Sequence, residues 1–364
     1  MDRVFWEPCC GNKREKQKNG HARKLILRKP VIVMKFSCFL PLAHLDNEHI
    51  AAEYNDPKWS ESKIYRKTGI RSRRVVKDEL VSDLAVGAAK RLFDEYGIDR
   101  NSIDFLLLCT QSPDYFLPTT ACIVQHSLDL PTSTGAIDFN LGCSGFVYGL
   151  SLAQGLLSTG AASTILLIMS ETYTRHIHPM DKSTRTIFGD GAAATLLDKE
   201  DIPRIGRFVL GTDGSGAPNL IVPSGGMARP RSVDTAKETT DEDGNIRSMD
   251  NIYMNGPEIF SFTLRAVPDM VRRTLERNDL SSEEIDMYVF HQANRFILEN
   301  LRDRLEIPED RFYIDVEETG NTVSATIPIA IRNALDKELI QEGSKVLIAG
   351  FGVGYSWGAT VLRI

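Results

Sequence analysis

Two stretches of the chain carry the same pattern of apolar and polar positions. Residues 85–111, AVGAAKRLFDEYGIDRNSIDFLLLCTQ, and residues 266–292, AVPDMVRRTLERNDLSSEEIDMYVFHQ, each open with apolar residues three and four apart. That period predicts an amphipathic helix. Each continues with a short polar turn, an Ile-Asp pair and an apolar run, which predicts a strand. The step from Ile103 to Cys109 equals that from Ile285 to His291, six residues in both.

The parallel extends along the chain. Cys143, after AIDFNL, precedes a predicted helix, FVYGLSLAQGLLSTG, and then a predicted strand, TILLIM at 164–169. Asn321, in ETGNTVSATIPIAIRNAL, precedes a helix and then the strand KVLIAG at 345–350. FGDGAAATLL at 188–197 and FGVGYSWGATVL at 351–362 are each a Phe-Gly-x-Gly turn feeding a strand. Three signatures in the same order indicate an internal duplication. Helices alternating with apolar strands predict an α/β fold whose sheets are covered on both faces. The reading divides the chain into a basic extension at 1–33, a first half at 34–205 and a second half at 206–364. A pseudo-two-fold brings equivalent strand ends together, so Cys143 is expected to share one site with His291 and Asn321. Residues 211–257, rich in Gly, Pro and charge, read as a long loop.

Composition narrows the class. The 364 residues are 42% hydrophobic and 25% charged, ordinary for a globular protein with a substantial core. A net charge of −6 argues against a dedicated nucleic-acid binder. No apolar run approaches the roughly 18 residues of a membrane span. The six cysteines form no CxxC pair and have no histidine at zinc-finger spacing, so the chain reads as cytoplasmic with reduced thiols. Residues 1–33 hold nine Lys or Arg against three acids and lack the apolar core of a signal peptide. They read as a disordered extension, an over-long translation start before Met34, or a basic arm for an acidic partner.

Cys143 lies where a strand turns into a helix. Unpaired N–H groups and the positive end of the helix dipole are expected to lower its thiol pKa. The alternative is a small buried residue. His291, at the end of the strand MYVF, is either a structural histidine or a proton acceptor and donor. Asn321, in Gly-Asn-Thr, is either a turn residue or an amide donor that never ionises. The Phe-Gly-x-Gly turns are not GxGxxG and lead into strands, so they do not read as dinucleotide loops. Their glycines are expected to let the backbone approach the site closely.

With these residues the chain resembles the β-ketoacyl-acyl-carrier-protein synthase III family of the thiolase superfamily, from about residue 35 to 364. The motifs are KTGIRSR at 67–73, LGCSGF at 141–146, FGDGAAA at 188–194, HQAN at 291–294, GNTVSAT at 320–326 and GFGVGYSWGA at 350–359. The resemblance implies a five-layered αβαβα thiolase-like fold, a homodimer, and no permanently bound cofactor. It implies that Cys143 takes an acyl group from acyl-CoA. Malonyl on acyl carrier protein then loses CO2, and its carbanion attacks the acyl-enzyme to give a 3-oxoacyl product. His291 and Asn321 are implied to hold the malonyl thioester oxygen, and the N–H groups of Cys143 and Val353 the acyl oxyanion. Trp59, Lys67, Lys182, Phe188 and Asn294 match substrate-contacting positions of the family, and Phe116 or Leu117 is implied to reach a partner's acyl pocket. The chain departs from the family pattern at Phe296, beside Arg295, and at Ser261, where carrier-docking cations are common, and at Val353, where the family has glycine. Two other readings use the same fold: an acyltransferase that passes the Cys-bound acyl group to an alcohol or amine without decarboxylation, and a non-catalytic binding subunit.

Overall fold

The structure, a computed structural model, describes residues 34–364. The basic extension at 1–33 lies outside the described residues.

Nine strands build two sheets. The first holds β1 (Lys35–Phe39), β2 (Phe105–Cys109), β3 (Gly135–Phe139), β4 (Thr164–Glu171) and β5 (Gly191–Asp198), in the order β1-β5-β4-β2-β3. The second holds β6 (Val209–Thr212), β7 (Met287–Phe290), β8 (Lys345–Gly352) and β9 (Ser356–Arg363), in the order β7-β8-β9-β6. In the first sheet β2 pairs parallel with β4, β4 antiparallel with β5, and β5 antiparallel with β1. In the second, β7 pairs parallel with β8, β8 antiparallel with β9, and β9 antiparallel with β6. Order and sense repeat strand for strand. The counterpart of β3 is reduced to one parallel bridge, Tyr288 to Phe312.

Alternation along the strands sorts side chains into three cores. Leu106 and Leu108 of β2 face outward with Leu84 and Ala88 of α1 (Val81–Tyr96). Leu107 and Cys109 face inward, against Phe146 and Leu150 of α2 (Gly145–Thr159). In the second sheet Met287, Val289, Val346 and Ile348 face that same central layer. Tyr288, Phe290, Leu347 and Ala349 face outward with Phe262 and Val267 of α3 (Gly256–Arg277). Both sheets are therefore buried on two faces, which is why their strands read as continuous apolar runs. The central layer is α2 with α4 (Thr326–Asp336), each touching both sheets. The layers run helix, sheet, helix, sheet, helix, as the resemblance implies.

The 211–257 segment, read as a loop, is largely tied down. Leu220–Ile221 pairs with Tyr253–Met254, and Thr239–Thr240 with Ile246–Arg247. Arg247 bridges Asp241 and the fully buried Asp181, and Ile252 N–H donates to the His176 carbonyl at 2.8 Å. The anchors to Asp181 and His176 and the pairing of Leu220–Ile221 with Tyr253–Met254 are long-range, so local composition did not reveal them. Among the described residues no helix is long and apolar enough to cross a membrane.

Candidate active site

β3 ends at Phe139, and the chain turns through Gly142, Cys143 and Ser144 into α2. Cys143 is 5% exposed. The end of β8 runs across it, and glycine makes that approach possible: a Cβ on Gly352 would lie 2.8 Å from the Cys143 sulfur. The backbone N–H groups of Cys143 and Val353 reach the sulfur as donors.

The expectation of a lowered thiol pKa is not met. Burial pushes the Cys143 pKa up to about 12, and the nearby Glu171 acts in the same direction, against the two N–H donors. The thiol packs against Phe188, Leu220 and Val323 rather than facing an open helix end. Enclosure outweighs the two N–H donors. The resting residue is therefore a thiol, and its proton has to be removed during reaction.

His291 follows β7 and is 2% exposed. Burial pushes its pKa down to about 3, so the ring is neutral. Nδ1 lies 2.8 Å from the Thr326 hydroxyl, which itself donates to the Val323 carbonyl at 3.0 Å. The hydroxyl proton is taken up by that carbonyl, so the hydroxyl oxygen accepts from Nδ1, which carries the ring proton, and Nε2 holds the lone pair. Nε2 lies 3.5 Å from the Asn321 amide nitrogen. The Asn321 oxygen in turn accepts from the Val323 N–H at 2.9 Å. Val323 thus orients both side chains, one through its N–H and one through its carbonyl. It does so at φ 55°, a left-handed conformation that is costly for a β-branched residue.

The Asn321 turn is seated on the first half. Asn321 N–H donates to the Ile187 carbonyl and Gly189 N–H to the Asn321 carbonyl, both at 2.9 Å. Gly320, at φ 68°, has no room for a Cβ, which would lie 2.8 Å from that of Arg73. Arg73, from the KTGIRSR motif, is fully buried and donates to Leu45 O, Asn47 Oδ1 and Thr186 O. It serves as a structural pin for the turn that carries Phe188.

Beneath the site Glu171 accepts from Gln111 N–H at 3.0 Å, Ser112 Oγ at 3.1 Å and Ser324 Oγ at 2.7 Å. Burial nevertheless pushes its pKa up to about 8. The folded state thus holds this proton more tightly than the unfolded state, whose pKa is near 4.5. Its stabilisation is full below pH 4.5 and is lost as pH rises through 8. His291 has the opposite slope, losing stability as pH falls from 6.5 towards 3. Above pH 6.5 the Glu171 slope is the one of the two that acts. The melting temperature is expected to fall between pH 6.5 and 9, and Glu171→Gln to flatten that fall by on the order of 1–3 kcal/mol. Thermal scans across this range check it; a Glu171→Gln profile parallel to that of the parent would refute it.

One cavity of about 490 Å³ is lined by Cys143, Phe188, His291, Asn294 and Asn321, together with apolar side chains. Asn294 caps helix Arg295–Arg304, its oxygen accepting from Ile297 N–H at 2.9 Å. At the cavity wall Phe296, 55% exposed, stacks on Phe260 at 5.3 Å. Arg295 is drawn to Glu317 at 3.5 Å. Trp59, Lys67 and Lys182 belong to a separate group that does not line this cavity. The Lys67 ammonium lies 4.3 Å from the centre of the Trp59 ring, which meets Tyr54 edge-on. Lys182 is 8% exposed and sits 3.4 Å from Asp56. Val353 lines a second cavity of about 710 Å³.

Sequence reasoning missed Val323, Thr326 and Glu171. Val323 and Thr326 lie inside GNTVSAT, but Val323 reads there as a core residue and Thr326 as a helix start. Glu171 ends an apolar strand, and an acid at that position was the available signal.

Residues 137–214 match the family model of 3-oxoacyl-[acyl-carrier-protein (ACP)] synthase III, and residues 275–364 match its C-terminal model. The β-ketoacyl-[acyl-carrier-protein] synthase III of Caldanaerobacter subterraneus subsp. tengcongensis is 36% identical over 307 residues, 84% of this chain and 89% of that protein. A crystal structure of a 3-oxoacyl-(acyl-carrier-protein) synthase III superposes with a TM-score of 0.88 at 47% identity, covering 90% of this chain and 98% of that one. The Pseudomonas aeruginosa PAO1 enzyme of the same name gives a TM-score of 0.79 at 32% identity, covering 90% and 96%. With this fold and these matches across both halves, the chain belongs to the β-ketoacyl-acyl-carrier-protein synthase III family.

Proposed function

We propose that this chain is a priming condensing enzyme: Cys143 is loaded from acyl-CoA, and the acyl group then condenses with malonyl on acyl carrier protein. The observation that carries this reading is the single cavity shared by Cys143, His291 and Asn321. Family membership supports it.

In loading, the Cys143 sulfur bonds the acyl carbon and the bond from that carbon to the CoA sulfur breaks. The Cys143 proton leaves with CoA, passing over Nε2 of His291. The lone pair on Nε2 suits it to that transfer. In condensation the malonyl unit loses CO2, and the electron pair of the broken bond moves onto the thioester as an enolate. The Asn321 amide donates to the enolate oxygen. His291 becomes a second donor once Nε2 has taken a proton from solvent, which the enolate charge favours. The enolate carbon attacks the Cys143 thioester, whose oxygen becomes negative beside the N–H groups of Cys143 and Val353. Collapse expels the Cys143 thiolate, which takes the proton held on Nε2, so His291 is neutral again and one solvent proton is consumed in the step. Fixed donors aimed at developing charge lower each barrier without reorganisation.

Trp59, Lys67 and Lys182 offer an aromatic face and cations to the nucleotide end of CoA, and Asn294 retains its amide N–H groups for the thioester arm. Phe260 and Phe296, with Arg265 and Arg304 nearby, line a shallow surface suited to an acidic carrier protein. The enzyme works in the cytoplasm, where thiols stay reduced.

The assembly is a homodimer. Tyr115, Phe116 and Leu117 are 59%, 81% and 87% exposed, a contiguous apolar patch of the kind that marks an interface. Light scattering at micromolar concentration is expected to give twice the chain mass, and the double variant Phe116→Asp, Leu117→Asp to shift it towards the single chain. A parent protein that runs as a single chain would refute the dimer.

The function is tested by mixing the protein with acyl-CoA and malonyl carrier protein. CO2 and 3-oxoacyl carrier protein are the expected products. Turnover only with an alcohol or amine would support acyl transfer without decarboxylation instead.

A further inference from the structure

The His291 and Asn321 side chains both hang on the backbone of Val323. Its N–H donates to the Asn321 oxygen, and its carbonyl accepts from the Thr326 hydroxyl that meets His291. A valine at φ 55° is unfavourable, and it persists only where the surroundings over-determine it.

The next residue supplies a tether. Ser324 is 1% exposed, and its hydroxyl donates to Glu171 Oε1 at 2.7 Å. Glu171 is fully buried at the end of β4, in the first half of the chain. Its other oxygen is fixed from the loop after β2, by Gln111 N–H at 3.0 Å and the Ser112 hydroxyl at 3.1 Å. Ser112 Oγ accepts in turn from Thr172 N–H at 3.1 Å. The carboxyl is thus held rigidly by the first half while it grips the turn of the second. Packing alone does not account for a carboxyl here. Its burial costs stability, and an apolar side chain would continue the run TILLIM without that cost. The bond to Ser324 is available to the acid and to the carboxylate, because a hydroxyl both donates and accepts.

We propose that Glu171 is a positioning residue for decarboxylation: through Ser324 it holds Val323 in the conformation that orients His291 and Asn321 towards the malonyl thioester. This role rests on the condensing-enzyme reading above.

The test uses protein already acylated on Cys143 and follows one turnover with malonyl carrier protein, by release of CO2 and 3-oxoacyl product. Ser324→Ala and Glu171→Leu each remove the tether. Each is expected to carry the Cys143 adduct but to turn over about ten- to 100-fold more slowly at saturating carrier, since a small misplacement of donors is enough for such a loss. The half-saturating carrier concentration is expected to stay the same, which a general loosening of the fold would not produce. Glu171→Gln is expected to recover most of the rate, because its amide oxygen can accept from Gln111 and Ser112 while its N–H donates to Ser324. Ser324→Ala turning over at the parent rate overturns the inference, as does Glu171→Gln falling as far as Ser324→Ala. If Glu171→Leu does not fold, these two variants decide alone. All of these outcomes leave the condensing reading intact. A parent protein that is acylated yet gives neither CO2 nor 3-oxoacyl product overturns that reading and this inference together.

Discussion

Cys143→Ala is expected to take up no acyl group from acyl-CoA. The thioester needs a sulfur at that position, and no other thiol of the described residues can stand in. Cys109 is fully buried, its pKa is raised well above the ordinary thiol value by burial, and its S–H is donated to the Leu141 carbonyl at 2.8 Å. Cys122, exposed on another helix, and Cys38, on β1, line neither cavity. Condensation should fall to background, while CO2 release from the malonyl donor is expected to persist because His291 and Asn321 remain. The fold should survive, since removing one small side chain costs about 1 kcal/mol or little more. Peptide mapping after incubation with acyl-CoA checks this; an adduct on Cys109 or Cys122 would refute the assignment.

His291→Ala and Asn321→Ala are expected to fail at the other step. Each should still form the Cys143 adduct, more slowly for His291→Ala because Nε2 relays the thiol proton. Each should lose decarboxylation and condensation by about 100- to 1000-fold, the usual cost of removing one donor to a developing oxyanion. Asn321→Ala also leaves the Val323 N–H without its acceptor, so its folding should be checked alongside its rate. Wild-type condensation by His291→Ala would contradict the account.

Much of this was legible in the sequence, for identifiable reasons. The runs FLLLC, TILLIM and KVLIAG are unbroken because each strand has a core on both faces, and that points to covered sheets. The Phe-Gly-x-Gly turns marked close backbone approach, and a Cβ at Gly352 would indeed crowd the Cys143 sulfur. What was not legible depends on contacts distant in the chain. The Cys143 thiol pKa was misjudged because a helix start is local, whereas the wall of Phe188, Leu220 and Val323 comes from three other segments. The left-handed Val323 was hidden because valine at that place looks like core. The anchoring of the 211–257 segment was hidden because Arg247 meets Asp181 some sixty residues away.

The central claim is that a thiol from one half and a His–Asn pair from the other act on one acyl group in sequence. The most direct measurement is a chase. Protein loaded with a labelled acyl-CoA is freed of excess thioester and mixed with malonyl carrier protein. The account predicts that label leaves the Cys143 peptide at the same rate as labelled 3-oxoacyl carrier protein and CO2 appear, one for one. Label that stays on Cys143 while CO2 is released, or that leaves as free acid without a 3-oxo product, would contradict it.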